Sequence, residues 1–329
     1  GCSEPKYRSL NYIVGSGCPY NCKFCCLPTI WKQRSFCKDI NTVMNDLKKI
    51  NKDYDVHKLG FNDDNFFSRQ SFVMQLCDQM IKNDISIEWE ANAHIDYFLR
   101  NFTTEDISVL YEAGCRSIKF GVESGDQEIL EKINKKTTVE SCRAVAKLLA
   151  DTNIKCVFYI MVAFPWNPDK DFKLTLDFLS DVKLINKKLE VGINFFIPLP
   201  KTPLYEVAID YGFTPFTDFD NMIEFISAPY QGPWWNKDYR KELYDFIWFY
   251  FKYANPNHYL TKNDEIIKLS RIVNKIFYPL SVLRLKTKCR RFRLDARFYF
   301  FAKKIFNKFS KYKFASNAET IGRCRSWNR

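Results

Sequence analysis

No uninterrupted apolar run in this sequence reaches the roughly 18 residues that a membrane span requires, and nothing near its start reads as a secretory signal. The chain therefore reads as cytoplasmic. Repeats at solenoid or propeller spacing are also missing, and no low-complexity linker divides residues 8–215, which excludes an array of small modules. A disulfide framework is absent too, although there are twelve cysteines in the 329 residues. Four of them crowd into residues 18–26. Cys77, Cys115, Cys142 and Cys156 stand singly in apolar segments, where a free cysteine behaves as a small buried hydrophobe. That usage suits a reducing compartment and metal binding. The first residue is Gly1 rather than methionine and only seventeen residues precede Cys18, so the chain reads as a fragment of something longer.

A hydrophobic content of 46% is ample for one large α/β domain with an appendage. The net charge of +12 is unevenly placed. Residues 271–329 carry 17 Lys and Arg against Asp295 and Glu319, so the remainder is slightly acidic. The catalytic part is thus nearly neutral, and the tail has its own question of which anionic surface it meets.

Short β-branched or aromatic runs at 10–14, 56–62, 85–93, 116–122, 154–162 and 191–197 alternate with segments of helical period near 38–51, 69–83, 104–113, 138–150 and 169–185. Such alternation builds right-handed βαβ units on a parallel sheet. Six repeats predict an open, partial (βα)6 barrel whose active site lies at the C-terminal strand ends. Near 215–230 the pattern gives way to an aromatic and then basic helical region. We accordingly expect a core over 1–215 and an α-helical, basic C-terminal extension over 216–329.

The segment GCPYNCKFCC directly follows the first strand candidate. Cys18, Cys22 and Cys25 could wrap three thiolates onto a corner-sharing cluster. Four irons with three protein ligands leave one metal position open, the mark of a reactive site. A zinc or electron-transfer site would want a fourth ligand; Cys26 or Cys37 could supply one, whereas His57 and His94 are remote in sequence. A non-catalytic iron–sulfur or zinc protein is therefore a competing reading.

These residues resemble the radical SAM superfamily signature C-x-x-x-C-x-aromatic-C, with Phe24 in the aromatic slot. The resemblance implies that Cys18, Cys22 and Cys25 hold a [4Fe-4S] cluster whose open iron is chelated by S-adenosylmethionine. One electron from the cluster, ultimately from a donor such as flavodoxin or ferredoxin, then releases a 5′-deoxyadenosyl radical that takes a hydrogen from the substrate. Further matches extend over about residues 8–210. The segment 31–35 resembles a basic patch that follows the cluster loop. Asn62, Asp63 and Asp64 occupy the place of a Gly-Gly-Glu motif that meets the methionine amino group; an Asx-type turn capping the next helix is the alternative. Glu123 and Ser124 fall in a segment resembling one that contacts the cofactor, with a capped strand-to-helix turn as alternative. His94 and Asp96 are candidate substrate-facing residues, and Pro165 lies in a loop resembling the adenine side.

Together these strings look most like the branch whose members carry an N-terminal cobalamin-binding domain, many of them methyltransferases. This chain has no room for that domain ahead of Cys18, which leaves cobalamin use open. The match of residues 55–60 to D-x-H-x-x-G, a cobalt-ligating loop, runs into a barrel strand and reads as accident.

In the tail, Phe298, Phe301, Ala302, Ile305 and Phe309 share one helical face and lysines the other, a pattern suited to peripheral contact with an anionic membrane through residues 284–313. The expected partner is a small or lipid-linked metabolite. A transfer-RNA substrate is the competing reading, since a basic appendage also binds nucleic acid.

Overall fold

The computed structural model describes residues 8–309 apart from 55, 228–231, 257–263 and 292. The described residues form eight strands: β1 (Ser9–Tyr12), β2 (Gly15–Gly17), β3 (Ser35–Cys37), β4 (Lys58–Phe61), β5 (Glu88–Ala93), β6 (Cys115–Glu123), β7 (Lys155–Val162) and β8 (Glu190–Phe195). Six of them form one open sheet in the order β1-β4-β5-β6-β7-β8. The pairs from β1/β4 through β6/β7 are all parallel. This is the six-stranded arrangement that the alternation predicts, each strand within a few residues of its expected place. Strict alternation in β5 buries Trp89, Ala91 and Ala93, and in β7 it buries Cys156, Phe158, Ile160 and Val162.

The intervening helices follow local rules. Helix Ile40–Asp53 starts where the Asp39 carboxylate accepts from the Thr42 N–H, and it buries Val43, Met44, Leu47 and Ile50 along one face. Helix Thr104–Glu112 opens with a reciprocal capping box between Thr103 and Asp106.

Sequence periodicity does not reveal the antiparallel hairpin of β2 and β3, because three-residue strands are too short to alternate. Sterics fix it instead. Gly17 has φ +89°, and a Cβ there would lie 2.1 Å from the Arg34 carbonyl oxygen.

The chain divides into two compact units. The first contains residues 1–123, 127–160 and 198–206. Its core is aromatic: Phe61 meets Trp89 edge-on at 5.4 Å, and Phe98 meets Phe67 at 5.4 Å and Phe120 at 5.3 Å. Burying each such ring contributes about 1.5–3 kcal/mol.

The second unit contains residues 124–126, 161–197 and 207–329. Helix Lys237–Asp245 runs into a π-helical turn, Phe246–Phe251, whose Phe249 packs on Phe277 at 4.9 Å. Tyr253 donates to the Tyr299 hydroxyl at 2.8 Å. Several tail arginines are already engaged here. Arg290 pairs with Asp177 and Glu242, Arg293 with Asp245, and Arg284 with Asp295. No described helix is long and apolar enough to cross a membrane.

Also in this unit, Ser124 is fully buried and donates to the Asp171 carboxylate, while its oxygen accepts the Asp126 N–H at 2.9 Å. Burial pushes the Asp171 carboxyl up to about 7, although Ser124 and Thr175 donate to it. Its folded-state pKa thus lies above the ordinary 3.8, and the folded chain holds a proton that the unfolded chain has released. Stability from this group is complete below that ordinary value and is lost as pH rises towards 7. The non-ionising Asp171→Asn variant is expected to flatten this decline, measured as the difference between melting temperatures at about pH 5 and about pH 8.

Candidate functional site

Cys18 follows directly on β2, and its loop closes at helix Leu27–Trp31. The Cys25 N–H turns back to the Cys22 carbonyl at 3.1 Å, and the Leu27 N–H points at the Cys25 sulfur at 3.4 Å. Distant segments of the same unit hold the loop in place. The Lys23 N–H donates to the Ile133 carbonyl at 2.9 Å, the Asn134 amide to the Asn21 carbonyl at 2.8 Å, and the Leu204 N–H to the Lys23 carbonyl at 3.1 Å.

Cys22 is buried and Cys18 and Cys25 are half-buried. Burial raises all three thiols, Cys25 to about 11; Cys18 raises Cys22 further, and Cys26, Cys22 and Cys18 raise Cys25. Thiols in this state need a metal cation to become thiolates. Among the described residues, no three Cys, His, Asp or Glu side chains converge on a single metal ion. Three thiols on one clamped loop suit a polynuclear cluster in which each sulfur takes one corner.

Carboxylates from the end of β4 shape the approach to Cys18. Asp63 accepts the N–H groups of Val14, at 3.2 Å, and Gly15, while Asp64 accepts that of Gly17 at 2.7 Å. Burial pushes the Asp63 carboxyl up to about 6 in spite of its two N–H donors. Neither aspartate caps the following 3-10 turn, Phe66–Ser68, which has no side-chain cap. Asn62 is exposed and donates its N–H to the Tyr12 carbonyl at 2.9 Å. Asn65, next in line, is buried; its amide faces the Cys18 thiol, whose ionised form it favours, and makes no hydrogen bond of ordinary geometry. It lines a cavity of about 20 Å³ with Gly15, Gly17 and Asp63.

Glu123 ends β6 with φ +72° and accepts from the Lys135 ammonium at 2.7 Å. Burial opposes the charge on Lys135, but Glu123 and the Cys22 and Cys18 sulfurs outweigh it, so its pKa stands above the lysine norm. Gly121 leaves room for this pair, since a Cβ there would lie 2.5 Å from the Glu123 carboxylate and 2.8 Å from the Lys135 nitrogen. The ammonium also lies 5.9 Å from the Phe24 ring centre. His94 stacks flat on Tyr20 at 3.7 Å, and its Nε2 meets the Lys135 carbonyl at 3.0 Å. Burial and then Lys135 hold its pKa down at about 4, so the ring is neutral near pH 7. Its Nδ1 has no hydrogen-bond partner. Asp96 accepts from the Thr137 hydroxyl at 2.9 Å.

The radical SAM superfamily model matches residues 12–179. This chain belongs to the radical SAM superfamily. It is 26% identical over 206 residues to the bacteriochlorophyllide d C-12(1)-methyltransferase of Chlorobaculum tepidum, covering 61% of this chain and 43% of that one. Over 139 residues it is 27% identical to the anaerobic magnesium-protoporphyrin IX monomethyl ester cyclase of Rubrivivax gelatinosus, covering 42% and 24% of the two chains. The chain thus spans less than half the length of these curated relatives. Among solved structures, the cobalamin-dependent S-adenosylmethionine radical enzyme OxsB superposes with a TM-score of 0.60 at 15% identity, over 91% of this chain and 50% of that one.

Membership implies a [4Fe-4S] cluster and S-adenosylmethionine, and the donor set fits both. Three thiols on one clamped loop suit the cluster, and the partnerless Nδ1 of buried His94 is a polar atom that a bound cofactor could satisfy. In the first unit the fold gathers Phe24, Asp63, Asp64, Glu123 and His94 around the loop that carries Cys18, Cys22 and Cys25. Ser124 and Pro165 belong to the second unit, Ser124 with its hydroxyl engaged and Pro165 buried before helix Pro168–Ile185. Sequence reasoning missed Lys135 and Tyr20. Lys135 sits in a lysine pair that reads as a solvated run; the only hint is that it follows the Glu123 segment in the same βα unit. Asp55 of the cobalamin-like match lies outside the described residues.

Proposed function

We propose that this chain is the radical SAM core of an enzyme that reductively cleaves S-adenosylmethionine and acts on a small or lipid-linked metabolite, with methyl transfer as the outcome. The observation that carries this reading is the clamped loop that gathers Cys18, Cys22 and Cys25 beside the buried Glu123–Lys135 pair. Similarity to a methyltransferase supports the transfer reaction. In this reading residues 1–215 form the catalytic core, residues 216–329 are an appended region, and cobalamin assistance depends on what accompanies the chain.

When bound, the cluster and S-adenosylmethionine supply the electron and the 5′-deoxyadenosyl radical. The chain's own residues bind and orient. Cys18, Cys22 and Cys25 take three irons, and the backbone clamps fix their spacing. Glu123 has a second carboxylate oxygen for a hydroxyl or ammonium donor. Neutral His94 offers a hydrogen bond without adding charge. Asp63 and Asp64 hold the strand before Cys18 in register, and any role towards an ammonium group is shared with that duty.

Anaerobic reconstitution followed by a dithionite-driven assay for 5′-deoxyadenosine tests this reading. We expect near-stoichiometric [4Fe-4S] and cleavage of S-adenosylmethionine. A full iron complement with no cleavage would sink it.

A lipid-linked substrate is favoured by helix Leu294–Phe309, where Leu294, Phe298 and Phe301 are 69%, 69% and 62% exposed at i, i+4 and i+7. Side chains from 302 onward, and residues 310–313 altogether, lie outside the described residues. Binding to vesicles containing anionic lipid is expected to weaken at least about tenfold in a Phe298→Ser/Phe301→Ser variant, since each ring buried is worth about 1.5–3 kcal/mol. Steep salt-sensitive binding to RNA, with none to vesicles, would favour transfer RNA instead.

A further inference from the structure

The sequence beyond the sheet is segregated by charge. Between Lys201 and Lys237 there is no Lys or Arg, and five carboxylates: Glu206, Asp210, Asp218, Asp220 and Glu224. Between Glu265 and Asp295 there is no Asp or Glu, and nine Lys and Arg. Each stretch carries a helix of the second unit with an exposed apolar stripe.

In the acidic stretch, helix Phe219–Ser227 begins where the Asp218 carboxylate accepts the Asn221 N–H at 2.8 Å. Only part of its apolar face is covered, by Phe225 edge-on to Phe213 and Phe216, both at 5.5 Å. Phe219, Ile223 and Ile226 stay exposed at i, i+4 and i+7, Phe219 to 67%. Asp220 and Glu224 are exposed on the same helix.

In the basic stretch, helix Asp264–Thr287 turns Asn274, Ser281 and Leu285 inward, and its Phe277 packs on Phe249 at 4.9 Å and Tyr253 at 5.8 Å. The opposite side, about half a turn away by the 3.6-residue period, carries Ile272, Ile276, Pro279 and Leu283. All four are exposed, Ile276 to 61%, at i, i+4, i+7 and i+11. Arg284, Lys288 and Arg290 are held by carboxylates of the same unit, whereas Lys275 and Lys286 stand exposed along the ridge.

Two stripes of one spacing and opposite charge suit each other as ridge into groove. Both are exposed within one chain, so neither covers the other there. Basic ridge on basic ridge is excluded, because it sets cation against cation. One stripe alone is also smaller than the roughly 20–30 residues a side of a stable interface. A twofold axis doubles the contact, since each copy then gives both its acidic and its basic helix to the other.

We propose that the chain pairs with a second copy of itself through two reciprocal contacts, helix Phe219–Ser227 of each copy lying on helix Asp264–Thr287 of the other. The pairing goes beyond the proposed function and requires no cleavage of S-adenosylmethionine.

Sedimentation velocity of the reconstituted chain at micromolar concentration tests it. The parent is expected to be a dimer. Asp220→Lys/Glu224→Lys and Lys275→Glu/Lys286→Glu change only exposed side chains, and each should weaken the dimer at least about a hundredfold by facing like charges. An equimolar mixture of the two variants should dimerise as the parent does, because both contacts of the mixed pair regain opposite charges. Misfolded variants would not be rescued in this way. A monomeric parent overturns the proposal, as does a dimer that both variants leave intact or a mixture that stays monomeric. A monomeric parent whose binding to anionic vesicles falls in Lys275→Glu/Lys286→Glu would assign the ridge to lipid and overturn it as well.

Discussion

Changing any one of Cys18, Cys22 or Cys25 to alanine is expected to strip the reconstituted chain of its iron and reduce 5′-deoxyadenosine formation to background, while Cys26→Ala and Cys37→Ala retain both. The contrast follows from geometry. The loop turns that carry the three cysteines are hydrogen-bonded to Ile133, Asn134 and Leu204, and although Cys26 acts on the Cys25 thiol, its own place is at the start of the next helix. Losing one corner leaves two thiolates for four irons, with a second open metal exposed to solvent. Cys26 begins the next helix and Cys37 ends β3 opposite Gly15, so neither occupies the loop interior. Iron and sulfide analysis beside the cleavage assay checks both halves. Iron retained by a Cys22→Ala variant would show that the ligand set is wrong.

Glu123→Gln is expected to destabilise the fold by about 3 kcal/mol, the range for breaking one side of a buried ion pair. Only 9% of the Lys135 side chain and 11% of the Glu123 side chain is exposed, so the stranded ammonium would have no water to turn to. Lys135→Met should cost a similar amount by stranding the carboxylate. The double variant Glu123→Gln/Lys135→Met should recover much of the loss, because neither partner is then left as an uncompensated buried charge. Urea unfolding of all four proteins gives the coupling directly. Singles within about 0.5 kcal/mol of the parent would refute a buried pair. The double variant is nevertheless expected to lose activity, since Glu123 and Lys135 border the cysteines whatever their contribution to stability.

Much of the sheet is legible in the sequence, because strand burial alternates and helices such as Ile40–Asp53 and Thr104–Glu112 carry their own caps and apolar faces. The cysteine loop is legible too, since its spacing is local. What escapes is set by contacts across the chain. Nothing near Asp63 announces that its carboxylate will hold Val14 and Gly15, and nothing near Ser124 announces Asp171. Lys135 looks like its exposed neighbour Lys136 until the fold buries one and not the other. The hairpin of β2 and β3 is invisible for a different reason: Gly15-Ser16-Gly17 has no apolar period, and its pairing follows from the close approach of two backbones. The tail's charge also overstates its reach, because Arg284, Arg290 and Arg293 are spent on internal carboxylates.

The long-range clamps on the cysteine loop carry a consequence for the order of assembly. Asn21 is tied to a residue 113 positions away, and Thr29 to one 172 positions away. A ribosome must therefore deliver most of the sheet before the three thiols can be gathered, so metal loading is confined to a late stage of biosynthesis. Until then the thiols belong to an open loop and are exposed to oxidation. Contacts of such separation also close slowly, so closure of the loop follows formation of the sheet.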